Sequence, residues 1–147
     1  MFNPLFMEAA IQEAQKGLAS SGIPIGSVLV HKNKIIGRGH NQRIQKKSVT
    51  LHAEMDALEQ AGRLPAHIYQ ACTLYTTLSP CSMCSGAILL YQIPRVIIGE
   101  NKNFMGDEAL LTSRGVALQI IQDKVCVKLM TDFIHQHPTL WHEDIGI

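Results

Sequence analysis

His52, Glu54, Cys81 and Cys84 are the residues in this sequence whose types and spacing could do chemistry. They lie in two short segments, His52-Ala53-Glu54 and Ser79-Pro80-Cys81-Ser82-Met83-Cys84. One imidazole and two sulfurs make a donor set for zinc. Three protein ligands leave a tetrahedral zinc one position open for water, which separates a catalytic site from a closed structural one. Glu54 would then stand beside the metal without being a ligand, as a carboxylate able to carry protons. A Cys-x-x-Cys pair alone is weak, because redox sites and zinc ribbons share it. A zinc that only stapled two helices would more often take a fourth Cys or His, and it would have no use for Glu54.

The elements around these segments have to position them. Asn3 and Pro4 make a helix start, and the helix is expected to stop between Gly17 and Gly22. Ile25 to Val30 and Lys34 to His40 form a hairpin around His31-Lys32-Asn33. Thr50 is the expected N-cap of a helix from Leu51 to about Gly62. Ala71 to Thr77 is a strand, and Ser79 with Pro80 starts a second helix running to about Gln92. Strands at Arg95 to Gly99 and Val116 to Ile121 follow, with a helical stretch near Asp107 to Thr112 between them. Asp123 to His135 reads as the last long helix, ahead of a short tail after Pro138.

This alternation predicts an α/β fold with helices on both faces of the sheet. The hairpin makes the sheet mixed, and the later crossovers make its other side parallel. Cys81 and Cys84, three apart in the first turn of their helix, present both sulfurs on one face, at the dipole end that favours thiolates. Glu54, two positions past His52, points elsewhere around its helix and need not compete for the metal.

The 147 residues fit one domain, 1–147, and 46% hydrophobic content excludes a disordered or collagen-like chain. A net charge of +1 gives no electrostatic footprint for nucleic acid. No apolar stretch approaches the ~20 residues of a membrane helix, and no basic region precedes an apolar run at the N-terminus. Thiolate ligands favour a reducing compartment, so the expected location is the cytoplasm, with Cys72 and Cys126 as small buried hydrophobes. Asn41 could bond a base edge, although as a residue after a strand it reads more readily as an ordinary turn position.

His-x-Glu followed by Pro-Cys-x-x-Cys is also the signature of zinc deaminases acting on nucleobases. Beyond it, the chain resembles the fungal-type cytosine deaminases, a branch of the cytidine and deoxycytidylate deaminase superfamily. The resemblance runs from Gly22 to Ile147. It is carried by Ile23-Pro24-Ile25-Gly26, Gly37-Arg38-Gly39-His40-Asn41, the stretch around Leu51 to Leu64, Leu74 to Cys81, Ile93-Pro94-Arg95, Gly99-Glu100-Asn101, Asn103-Phe104 and the tail Glu143-Asp144-Ile145-Gly146. The zinc motifs belong to the whole superfamily, whereas the tail points to the cytosine branch.

The resemblance implies a three-layer α/β/α cytidine-deaminase-like fold with a five-stranded mixed sheet, and a homodimer. It implies one Zn2+ per chain on His52, Cys81 and Cys84, with Glu54 as the proton shuttle. It makes Asn41 a base-edge contact, Phe104 and Trp141 the enclosure of the ring, Asp144 a polar contact from the tail, Ser79 a backbone contact and Ile25 an apolar wall. Ala53, beside the substrate in this pattern, stands where the fungal enzymes have glycine, and the segment after Phe104 is about one residue shorter. The implied activity is hydrolytic deamination of free cytosine to uracil and ammonia, in pyrimidine salvage. The rivals are deaminases of guanine, of a nucleoside or of a nucleotide, a tRNA adenosine deaminase, and a non-catalytic zinc module. A tRNA enzyme would want a basic surface for phosphate, and a nucleotide enzyme a phosphate loop.

Overall fold

A computed structural model describes residues 2–147. The predicted hairpin forms β1 (Gly26–His31) and β2 (Lys34–His40), joined by Lys32 and Asn33, which both hold positive φ. Two left-handed residues in a two-residue loop match the twist of the paired strands, which is why such turns select residues like asparagine. Parallel strands β3 (Cys72–Thr76), β4 (Arg95–Ile98) and β5 (Ala117–Ile120) complete one sheet in the order β2-β1-β3-β4-β5. β1 is antiparallel to both β2 and β3, so the mixed sheet is as expected.

Alternation along the strands sends side chains to two separate cores. Leu29, Leu74, Val96 and Ile98 face one side, under α2 (Ala53–Ala61), α3 (Ala66–Tyr69), α4 (Ser82–Leu90) and α5 (Glu108–Ser113). Val28, Val30, Tyr75 and Ile97 face the other, where α1 (Pro4–Ala19) contributes Met7 and Ala10 and α6 (Lys124–Gln136) contributes Cys126. The layers are therefore α/β/α. A third cluster, containing Ile23, Ile25, Ala53, Leu78, Met130, Phe133 and Trp141, forms at the end of the central strands, where Ile25 precedes β1 and Leu78 follows β3. It ties α6 and α7 (Pro138–Asp144) to the start of α2.

Three local expectations change. Helix α2 starts at Ala53 with His52, not Thr50, as its cap, and α4 starts at Ser82 with Cys81, not Ser79, as its cap. The tail after Pro138 is a helix, with proline in its first turn. The short α3 was not anticipated. Cys72 and Cys126 are 1% exposed and unpaired, as small buried hydrophobes should be.

Candidate active site

His52 and Cys81 occupy equivalent places. Each is the residue before the first turn of a helix, each has extended backbone angles, and the two helix starts converge. A cap position turns its side chain back across the helix end, so both donors point at the same space. Cys84, one turn into α4, is fully buried beside them. His52 Nδ1 lies 3.3 Å from Cys81 Sγ and 3.7 Å from Cys84 Sγ. Tetrahedral zinc with ordinary bond lengths needs nitrogen and sulfur about 3.6 Å apart. The observed spacings bracket that figure, and one nitrogen with two sulfurs suits zinc by chemistry as well. The donor set fits the metal.

Its electrostatics agree. Burial opposes charge on His52, but the Cys81 sulfur, Asp144 and Glu54 outweigh it and push the imidazole up to about 9. Hydrogen bonding from Cys84 pulls Cys81 down to about 4 against burial, with His52 assisting. The Cys84 thiol is driven well up by its bond to Cys81 and by burial. A divalent cation would replace the protons on His52 and Cys84.

The other ring nitrogen of His52 faces Asp144, with Nε2 3.5 Å from Oδ1. A carboxylate behind a ligating histidine fixes its tautomer and orientation. Asp144 comes from α7, so the tail reaches the metal site directly. The same Oδ1 accepts a hydrogen bond from Asn41 Nδ2 at 2.9 Å and lies 3.5 Å from Arg43. The Asn41 amide oxygen accepts the Arg43 backbone N–H, and its own N–H is given to the Ile25 carbonyl.

Glu54 is 4% exposed and lines the pocket beside His52. Burial raises its carboxyl to about 7, with the Cys81 thiolate adding to the shift and His52 opposing it. That is the range in which one carboxyl can both take and give a proton at neutral pH.

The pocket itself is small, with about 280 Å3 of empty space between Ile25, Leu78, Phe104, Trp141 and Ile145 on its apolar sides and His52, Glu54, Ser79, Cys81 and Asp144 on its polar ones. Phe104 and Trp141 meet edge to face, 5.8 Å between centroids at 83°. Ser79 has its N–H bonded to the Glu100 carbonyl and its hydroxyl to Glu108. Of the residues singled out from sequence, Asn41, Ala53 and Cys84 do not line this space. Asn41 touches it through Asp144, and Ala53 is packed in the cluster behind it. Leu78, Ile145 and Arg43 were not anticipated. Leu78 and Ile145 directly adjoin Ser79 and Asp144 in sequence, and that adjacency was the available signal.

Zinc-dependent hydrolases are the class this fold and donor set define, because the three donors leave room for water and the carboxylate stands apart from them. Comparison makes the class particular. The chain belongs to the family defined by the cytidine and deoxycytidylate deaminase zinc-binding region, whose model matches residues 2–100. It is 52% identical over 141 residues to a cytosine deaminase of Candida albicans, covering 95% of this chain and 94% of that one. It is 45% identical over 107 residues to a tRNA-specific adenosine deaminase of Streptococcus pyogenes, covering 71% and 67%. A solved tRNA:A34 deaminase structure superposes with a TM-score of 0.70 at 28% identity, over 86% of this chain and 99% of that one. The matched region 2–100 holds both metal motifs, whereas Phe104, Trp141 and Asp144 lie beyond it.

Proposed function

We propose that the protein converts free cytosine and water to uracil and ammonia. The observation that carries this reading is the roof on the pocket: Trp141, Asp144 and Ile145 of the tail close over the space beside Glu54. The space they leave, about 280 Å3 including its open mouth, is narrow and walled by apolar side chains, which suits a bare base better than a nucleoside. The Candida albicans relative, alike over nearly its whole length and so including the tail, is a cytosine deaminase.

In this reading His52, Cys81 and Cys84 hold one zinc per chain, which supplies an acidified water when bound. Glu54 takes the proton of the attacking water and passes it to ring N3. A C4–O bond forms, Glu54 helps to protonate the exocyclic amine, and the C4–N bond breaks with release of ammonia. Ile25, Leu78, Phe104, Trp141 and Ile145 sandwich the ring and exclude other water. Asp144 faces the amine. Asn41 stands behind Asp144, and its Oδ1, which already accepts the Arg43 N–H, keeps a second lone pair as the acceptor assigned to the N1–H edge, while Ser79 completes the polar rim and Ala53 packs behind it.

The tRNA adenosine deaminase reading rests on shared zinc motifs and a 45% match over the region that holds them. A net charge of +1 and the tail residues that narrow the pocket favour the small base. Among the described residues no helix is long and apolar enough to cross a membrane. Two thiol ligands support a reducing, cytoplasmic setting, the single sheet supports one domain over 1–147, and the family resemblance supports a homodimer. Ammonia release from cytosine, cytidine, deoxycytidylate, guanine and a tRNA anticodon stem-loop tests the reading. Activity on cytosine alone is expected, and turnover confined to the stem-loop would overturn it.

A further inference from the structure

Glu100 is a fully buried carboxylate, 0% exposed, for which the proposed chemistry has no use. It follows Gly99 at the end of β4, and its backbone carbonyl accepts the Ser79 N–H at 3.0 Å. Its side chain spends both oxygens on one residue. Oε2 accepts the Asn103 backbone N–H at 2.9 Å, and Oε1 accepts Asn103 Nδ2 at 2.8 Å. From its other side Asn103 Nδ2 reaches the Val127 carbonyl and Thr131 Oγ1 on α6, each at 3.1 Å.

The next residue is Phe104, the pocket wall that meets Trp141 edge to face. Beyond it the loop is pinned again at Gly106, whose N–H bonds Ser79 Oγ at 3.0 Å. A Cβ at Gly106 would fall 1.8 Å from the Pro80 carbonyl oxygen, so the chain passes there with no slack. Between the two anchors only Phe104 and Met105 are free to move, and Met105 is 63% exposed. The place of Phe104 is therefore set by Asn103 on one side and Gly106 on the other.

We propose that Glu100 and Asn103 form a clamp that seats Phe104 against the substrate, which makes them positioning residues for the base. The need for a carboxylate follows from the hydrogen-bond count. Two acceptors face two donors of Asn103, whereas glutamine would turn an amide N–H2 toward Asn103 Nδ2 and lose one of the pair. Two N–H2 groups facing one another repel, so Asn103 is driven toward its remaining acceptors, the Val127 carbonyl and Thr131 Oγ1, and Phe104 moves with it.

The substrate part of this inference rests on the cytosine reading, and the clamp itself can be tested without it. The sequence has one tryptophan, Trp141, in contact with Phe104. Its emission in the absence of substrate should shift in Glu100→Gln in the same direction as in Phe104→Ala. An apolar wall touches the ring equally before and during reaction, so its loss raises KM and spares kcat. Glu100→Gln should raise KM for cytosine about tenfold, at the low end for a lost apolar contact in a pocket, with kcat within about twofold. In the Phe104→Ala background Glu100→Gln should add nothing further to KM. KM effects that multiply, or an unchanged Trp141 emission, would overturn the clamp. A wild-type protein inactive on cytosine would retire the functional reading, and a shifted Trp141 emission would still support the clamp. Where Glu100→Gln yields no folded protein, Asn103→Ala enters the same cycle and is judged by the same results.

Discussion

Replacing Glu54 by glutamine separates catalysis from architecture. The substitution keeps size and one acceptor but removes the group able to accept and return a proton. Glu54 is 4% exposed and its carboxyl is raised to about 7, chiefly by burial, so in the wild type it exchanges protons readily near neutral pH. One positioned acid–base group contributes typically ~10²–10⁴-fold. Glu54 is assigned both the proton taken from water and the protons delivered to the base, so kcat should fall by at least ~10³, about 4 kcal/mol of barrier. The fold should not suffer, because a neutral amide in a buried site has no charge to desolvate. Zinc should remain, since the three donors are untouched. The assay is ammonia release from cytosine, with zinc by elemental analysis and thermal unfolding alongside. Wild-type turnover would refute the shuttle, and loss of zinc would show that Glu54 holds the metal instead.

Purified protein should carry close to one zinc per chain, and Cys81→Ala and Cys84→Ala should each abolish it. A variant that keeps its full metal content would remove that sulfur from the ligand set. Cytosine should exceed cytidine in kcat/KM by ~10⁴ or more, the discrimination available to a site that bonds a substrate N–H the analogue lacks. Comparable values would end the free-base reading. Glu13 is 2% exposed and bonded to Arg38, His40 and Lys16, whose pull outweighs burial and holds its carboxyl below the ordinary 4.5. A folded pKa below the unfolded one gives stability that is present above 4.5 and is lost as the pH falls through the folded value. Glu13→Gln should therefore cost about 2 kcal/mol at pH 7, kept moderate because Arg38 and Lys16 are 43% and 63% exposed and rehydrate. In acid the two proteins should converge, and urea midpoints that stay equally far apart would contradict this.

The parts of this fold written in local sequence were legible. His31-Lys32-Asn33 between two short runs specified the hairpin, and strands alternating with helices specified the layers. The metal donors were legible because their chemistry is local to two motifs. What failed had tertiary causes. Thr50 looks the better helix cap than His52, and Ser79 than Cys81, because hydroxyls cap helices by hydrogen bonding. Here the cap positions are held by metal donors, and α2 starts without a side-chain capping bond. Helix α7 is seven residues long, too short to show periodicity, although Pro138 at its first position was a visible start signal. Arg43 enters the site through its 3.5 Å approach to Asp144, which no spacing in the chain reports, and Leu78 and Ile145 were signalled only by adjoining Ser79 and Asp144.

The tail explains why zinc motifs alone leave the substrate open. His52, Glu54, Cys81 and Cys84 lie within residues 2–100 and specify a reaction on an amine-bearing ring carbon. In the proposed reading the shape of what enters is set elsewhere, by Phe104, Trp141, Asp144 and Ile145, which line the pocket. Asp144 joins the two functions. It stands 3.5 Å behind the His52 ring, accepts from Asn41 at 2.9 Å, and is carried by the same short helix as Trp141. A tail that opened to admit a ribose would therefore also withdraw the carboxylate that orients a metal-ligating histidine. Admission of a larger substrate and loss of metal-site geometry are coupled through one residue, so selectivity for a small base and integrity of the centre rest on the same closure.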